Sequence, residues 1–316
     1  MKTFEIFSTN LPVGEKFTIK KTRFEPSDKV KNPKRISIVT GIHGDELEGQ
    51  FVVYLLVDWL KKNQDKINGI IDLYPAVNSL GIDSIIRSFP IYDVDLNRAF
   101  PGNKTSFLPS HVVYELSQDV KGSDIAIDIH SSNIFLKEIP QIRINKQFSQ
   151  DTLPLAKQLN CDFIWIHDAV TVLEATFAHT MNTLGTKTLV VEMGVGMNLT
   201  QKYGYQLLEG ILNLMNKEGI IKTDVTYNIR EPFSSEIGDV YFINAPAGGL
   251  FIQEIKHCEV IKKGDKIGQI VDPLTGEIKA EIFAPNKGIL FTLREFPVVY
   301  EGSLLARIFG EKDEEN

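Results

Sequence analysis

The chain has 316 residues, enough for one large domain or two ordinary ones, and 43% hydrophobic against 24% charged residues is ordinary globular composition. A formal net charge of −7 argues against a nucleic-acid binder, which needs a basic face for the phosphate backbone. No apolar run approaches the length of a membrane span, MKTFEIFSTN has no apolar signal-peptide core, and Cys161 and Cys258 suit reduced thiols, so the expected setting is soluble and cytoplasmic.

Residues 1–35 are polar and mixed, with a short strand expected at Phe17-Thr-Ile-Lys and a basic connector from Lys29 to Arg35. From Ile36 the pattern becomes α/β. Ile36-Ser-Ile-Val-Thr40 reads as a strand, Gly41-Ile-His43-Gly44-Asp45-Glu46 as a tight turn, and Glu48 to about Leu60 as an amphipathic helix. His43 and Glu46 share a side of that turn. An imidazole and a carboxylate converging at a strand end make half of a zinc site, the third ligand coming from elsewhere. The competing reading is a helix N-terminus, with Glu46 on the helix dipole and His43 an exposed turn residue.

Ile70-Ile-Asp-Leu-Tyr74 is a second strand. The irregular stretch from Asn78 to about Pro109 is long for a compact domain, and such connections are usually functional or disordered. It holds Asp95-Leu-Asn97-Arg98, which does not look like disorder. Arg98 offers a planar fork for a substrate carboxylate, and Asn97 can donate to the same group. Arg87, upstream, is a candidate to polarise the scissile carbonyl or to hold a second carboxylate; an ordinary surface salt bridge is the alternative.

A helix is expected from Ser110, as its cap, to Val120, then the strand Ile125-Ala-Ile-Asp-Ile129 running into His130. Ligands gather at the carboxyl ends of parallel strands, so His130 is the best third ligand; a satisfied histidine at a strand–loop junction is the alternative. Alternation places Asp128 on the same face, where it can support the imidazole or pair with a core hydroxyl or backbone amide. Further strands are expected at Ile139–Ile144, Phe163–His167 and Lys187–Glu192, and helices at Thr152–Asn160, Ala175–Leu184 and Gln201–Lys217. Glu192 ends a buried-type strand. A carboxylate there is paired or has a raised pKa, and a hydrolytic zinc enzyme needs such a base; a structural carboxylate on the Gly194 turn is the alternative. His111, His167, His179 and His257 lack partners at ligand spacing and read as structural or solvated. After about Thr226 short β-rich runs alternate with glycines, a small all-β unit. The charged tail Glu311–Asn316 reads as frayed.

Four motifs in order, Gly41-Ile-His-Gly-Asp-Glu46, Asp95-Leu-Asn-Arg-Ala-Phe-Pro-Gly102, Asp128-Ile-His130 and Val191-Glu-Met-Gly194, span about half the chain. With them the sequence resembles the succinylglutamate desuccinylase/aspartoacylase family, relatives of the zinc metallocarboxypeptidases. The resemblance implies an α/β fold, a mixed, largely parallel sheet with helices on both faces, plus a small C-terminal all-β domain. It implies one zinc ion on His43, Glu46 and His130, Glu192 as base, Asn97 and Arg98 on the substrate carboxylate, and Asp95 orienting the imidazole of His43. Aspartoacylase-type enzymes carry an arginine nearer the Asn-Arg pair, where this chain has Pro90. The C-terminal region also resembles a lipoyl or biotinyl carrier barrel, but its Asp272-Pro-Leu-Thr-Gly-Glu277 turn has no lysine to modify. It reads as a lid or rim. The expectation is a hydrolase domain at 1–225, with a β-rich domain at 226–316 rimming the cleft. The expected activity is deacylation of an N-acyl amino acid or related small compound. The alternatives are a metallocarboxypeptidase on short peptides and a non-catalytic metal-binding protein. The partner expected is a small molecule, not nucleic acid or membrane, with homo-oligomerisation left open.

Overall fold

The computed structural model describes residues 1–168, 174–236 and 238–310, so the 311–316 tail lies outside it. The chain begins as an antiparallel hairpin of Lys2–Asn10 (β1) and Lys16–Phe24 (β2). Sequence reading finds only the Phe17 strand. The edge strand β1 escapes it because it is exposed along most of its length, and no buried face imposes alternation.

Arg35–Thr40 (β3) leads through Glu48–Lys62 (α1) to Ile70–Tyr74 (β4), which pairs with β3 in parallel. The long connection then carries Ser79–Ser84 (α2) and Leu108–Val120 (α3) before Ile125–Ser131 (β5). Here α3 starts earlier than the sequence suggests, with Pro109 in its first turn. Ser110 therefore does not cap the helix; its hydroxyl accepts a hydrogen bond from the Asn103 amide instead.

Leu136–Asn145 (β6), Ser149–Ala156 (α4), Phe163–His167 (β7), Phe177–Thr183 (α5), Lys187–Gly194 (β8) and Gln201–Lys217 (α6) follow. The observed α4 starts before Thr152 and ends before Asn160, which takes a positive φ of 55°. The remaining strands are Phe233–Ser234 (β9), Asp239–Asn244 (β10), Gly249–Gln253 (β11), Val260–Ile261 (β12), Lys266–Val271 (β13), Ile278–Phe283 (β14), Gly288–Arg294 (β15), Val298–Val299 (β16) and Leu304–Gly310 (β17).

Among the described residues, thirteen strands form one mixed sheet whose main path runs β1-β2-β4-β3-β5-β8-β6-β15-β17-β10. Its centre, β4-β3-β5-β8, is parallel. The C-terminal strands join the same sheet where β15 pairs antiparallel with β6, while β14-β13-β11-β16 form a second, four-stranded sheet.

Alternation divides the core. Ile125, Ile127 and Ile129 of β5 and Leu189 and Val191 of β8 pack with α1 and α6. The opposite face carries Ala126 against α3 and α5. Asp128, His130, Val190 and Glu192 belong to that second face by parity. The chain moves from β3 to β4 on one side, then returns to place β5 on the other side of β3. That reversal opens a crevice at the carboxyl ends of β3 and β5, where ligands bind in such sheets.

Far from the crevice, Asp72 is fully buried among cations. Arg23 donates through Nε and Nη2 at 2.6 and 2.7 Å, Arg35 through Nε at 2.8 Å, and Lys21 Nζ lies 3.4 Å away. Burial alone raises its pKa, but the Arg23 hydrogen bonds and the Arg35 and Lys21 charges outweigh that and lower it. A depressed folded-state pKa gives stability that is complete above the unfolded value of about 3.9 and is lost as pH falls through the folded one. Asp72→Asn leaves the cations buried without this charge and is expected to cost about 3–5 kcal/mol at pH 7. Urea denaturation at pH 7 measures it, and the gap to wild type should narrow in acid.

Candidate active site

His43 stands just beyond β3, on a turn that only glycine permits at two points. Gly41 takes φ +69°, and a Cβ on Gly44 would run into the Gly81 carbonyl and the Ile86 oxygen. Glu46 precedes α1 but does not serve that helix. Its Oε1 lies 2.8 Å from His43 Nδ1, and its Oε2 lies 2.8 Å from His130 Nδ1 and accepts the Ser131 amide at 3.1 Å. The two Nδ1 atoms are 3.2 Å apart. All three side chains are buried, and one ligand atom from each falls within 4.8 Å of the others. The helix-terminus reading of this turn is thereby set aside.

The other imidazole nitrogens face carboxylates. His43 Nε2 is 2.9 Å from Asp95 Oδ1, and His130 Nε2 is 2.9 Å from Asp128 Oδ2. A carboxylate on Nε2 makes that nitrogen the N–H donor and leaves Nδ1 with a lone pair, the arrangement that orients metal-binding histidines. Two such lone pairs and a carboxylate facing one point repel one another unless a cation lies between them. This donor set, two imidazoles and one glutamate, fits zinc, and it is the set of carboxypeptidase-type catalytic sites. Burial raises the Glu46 pKa, but His43 and His130 outweigh it and hold the group strongly ionised. Burial lowers both imidazole pKa values, but Glu46, with Asp95 at His43 and Asp128 at His130, raises them above the usual range. The site's electrostatics thus favour positive charge at its centre.

Strand register brings Glu192 beside His130, and Gln141 beyond it; one step down, Asp128, Val190 and Arg143 align in the same way. Arg143 Nη1 lies 3.3 Å from Glu192 Oε1, and its Nη2 holds both oxygens of buried Glu138 at 3.0 and 3.1 Å. Burial raises the Glu192 pKa, the Arg143 charge works against this, and the net direction is upward. Arg143 is absent from the sequence-based set. The available signal was a cation alternating with isoleucines in a buried-type strand, Gln141-Ile-Arg143-Ile, where an unpaired charge is costly.

Asn97, buried, and Arg98, exposed, both line the site. The Asn97 Oδ1 accepts the Phe177 amide at 2.9 Å, which turns its Nδ2 to within 3.4 Å of His130 Nε2. Arg98 is exposed, donates to the Asn97 carbonyl at 2.7 Å and has no ion pair among the described residues. Arg87 also reaches the site, despite its greater distance from the Asn-Arg pair. The intervening residues are taken up where Phe89 bridges to Val94, with positive φ at Ile91 and Asp93. Its Nη1 is 2.7 Å from Glu46 Oε1, and its Nη2 is 3.5 Å from Asp95 Oδ2.

These groups open onto a cavity of about 170 Å³ lined by His43, Arg87, Arg98, His130, Arg143 and Glu192, among others. His167 and His179 also line it, although neither has a partner at ligand spacing in the sequence. Among the described residues, every one that lines it falls within 43–192.

Residues 32–217 match the model of the succinylglutamate desuccinylase/aspartoacylase catalytic domain. The chain is 22% identical over 275 residues to the N-alpha-acetyl-L-2,4-diaminobutyric acid deacetylase of Halomonas elongata, covering 85% of this chain and 76% of that one. Among solved structures, the product-bound ectoine utilization protein EutE (DoeB) of Ruegeria pomeroyi superposes with a TM-score of 0.80 at 18% identity, over 97% of this chain and 94% of the other. A succinylglutamate desuccinylase from Silicibacter sp. TM1040 does so with a TM-score of 0.80 at 20% identity, over 98% and 95%. No helix in the described residues is long and apolar enough to cross a membrane. With its catalytic-domain match covering more than half its length, the chain belongs to the succinylglutamate desuccinylase/aspartoacylase family.

Proposed function

We propose that the protein is a zinc-dependent amide hydrolase that removes the acyl group from an N-acyl amino acid or a related small compound. One observation carries the reading: both Nδ1 atoms and the Glu46 carboxylate face a single point, with Glu192 on the neighbouring strand beside them. Membership of a deacylase family supports the reaction class. The small cavity supports a small substrate, since pockets for drug-sized ligands run from roughly 300 to 1,000 Å³.

His43, Glu46 and His130 are the residues to hold the ion, oriented by Asp95 and Asp128. When bound, zinc supplies Lewis acidity that brings the pKa of a water near 7 and polarises a carbonyl. Glu192 accepts the proton of the attacking water and delivers it to the leaving nitrogen. Its raised pKa suits a group that must do both. Arg98 and Asn97 Nδ2 bind the substrate carboxylate, and Arg87 helps to hold the oxyanion. We assign this chemistry to residues 1–225 and treat 226–316 as a β-rich unit at the edge of the cleft.

Zinc analysis and a screen of N-acetyl and N-succinyl amino acids against dipeptides test the proposal. The diaminobutyrate derivative named for the Halomonas relative belongs in the first panel. Stoichiometric zinc with no turnover on any acylated compound would sink it, and preferential dipeptide cleavage would point to a carboxypeptidase. Arg98→Ala is expected to raise KM about 10–100-fold, the value of a charge-assisted contact of 1.5–3 kcal/mol. The same variant should match wild type on a substrate whose carboxylate is an amide.

A further inference from the structure

The ion pair on Glu192 does not end at Arg143. Glu138, 1% exposed, takes Arg143 on one side and Arg307 Nη1 on the other at 2.7 Å, and Gln141 Nε2 donates to it at 2.8 Å. The strands explain the reach: Glu138 of β6 faces Thr292 of β15, and Thr292 faces Arg307 of β17. Trp165 of β7 lies against both guanidiniums, with centroid distances of 5.6 Å to Arg143 and 5.4 Å to Arg307. Arg307 is also 5.5 Å from the Phe242 ring. A chain of alternating charges therefore runs from the C-terminal strands to the edge of the cavity.

We propose that Arg307 is a positioning residue for Glu192, acting through Glu138 and Arg143. The proposal rests on the reading of Glu192 as the base. Glu138 holds both ends of the relay, and without Arg307 its remaining partners are the neutral Gln141 amide and a single cation, Arg143. The Arg143 fork then turns fully onto Glu138, and its 3.3 Å contact with Glu192 is the contact that gives way. The C-terminal strands thus reach the chemistry by aiming the base from behind, while contributing no side chain to the cavity wall.

The test is Arg307→Met in the zinc-loaded full chain. The expected result is a fall in kcat of about 10–100-fold, since a misplacement of 1 Å can cost 10²-fold, with KM within twofold. Arg307→Lys, which restores the charge on Glu138, is expected to recover part of the loss. In a Glu192→Gln background, Arg307→Met should change kcat no further, because there is no base left to aim. A readout independent of turnover is the Arg143 Nε–H resonance in arginine-labelled protein, identified by its loss in Arg143→Lys. It should shift in Arg307→Met and stay in place in a control at exposed Arg230.

Unchanged kcat and an unmoved resonance in folded Arg307→Met overturn the proposal. So does an equal loss in the presence and absence of Glu192. If Arg307→Met does not fold, Arg307→Lys carries the same comparisons. Full activity in Glu192→Gln instead defeats the base assignment, a separate failure.

Discussion

Glu192→Gln is expected to lower kcat by about 10²–10⁴-fold, the range a well-placed general base contributes, while zinc content and Tm stay at wild-type values. The substitution keeps the size and shape of the side chain and removes the charge. None of the three converging ligand atoms belongs to Glu192, so the ion should be retained. Arg143 loses one partner but keeps Glu138, so no cation is left stranded. KM should change little, because in the proposed mechanism Glu192 acts on the proton in flight and not on the bound substrate. The pH profile supplies a second check. A base works ionised, and burial raises the pKa of Glu192, so if Glu192 is the base kcat/KM in wild type should fall on the acid side at a pH above the ordinary glutamate value of about 4.3. The residual activity of the variant should lack that limb. A zinc-loaded variant with full activity would show that another group moves the proton.

Much of the site is legible in the sequence because strand ends are. His43 follows Ile36–Thr40, His130 ends Ile125–Ile129, and Glu192 ends Thr188–Val191; each is a polar residue closing an apolar β-branched run. The parallel order β3-β5-β8 then gathers the three, an outcome fixed by topology more than by any single motif. Arg143 is harder to find because one of its two carboxylate partners is supplied by another strand. Glu138 sits on its own strand, but Glu192 is brought in only by antiparallel pairing of β6 with β8. Arg307 lies further still, in a region that sequence texture marks as a separate unit. Register, not periodicity, makes it a neighbour of the site, and register between distant strands is not written in local pattern. The hairpin partner β1 and the early start of α3 are local failures of another kind. Exposure removed the alternation in the first, and Pro109 moved the boundary in the second.

His130→Ala should abolish stoichiometric zinc binding and reduce turnover by at least about 10³-fold, since a two-ligand site no longer encloses the ion that lowers the pKa of water. The effect is expected to be graded outward from the centre. Asp128→Asn and Asp95→Asn leave all three ligand atoms in place but weaken the carboxylates that orient His130 and His43. Such changes usually cost 10–100-fold in affinity or activity, so both variants should regain turnover as zinc is raised, whereas His130→Ala should not. Thermal denaturation reads the same order without any substrate. An ion present at 100 times its Kd stabilises the folded chain by about 2.7 kcal/mol. Wild type should therefore lose Tm on chelation, and His130→Ala should be insensitive to it. Stoichiometric zinc together with wild-type turnover in His130→Ala would mean that the ion is held by other groups, because a strand-end imidazole that only filled space would leave both unchanged.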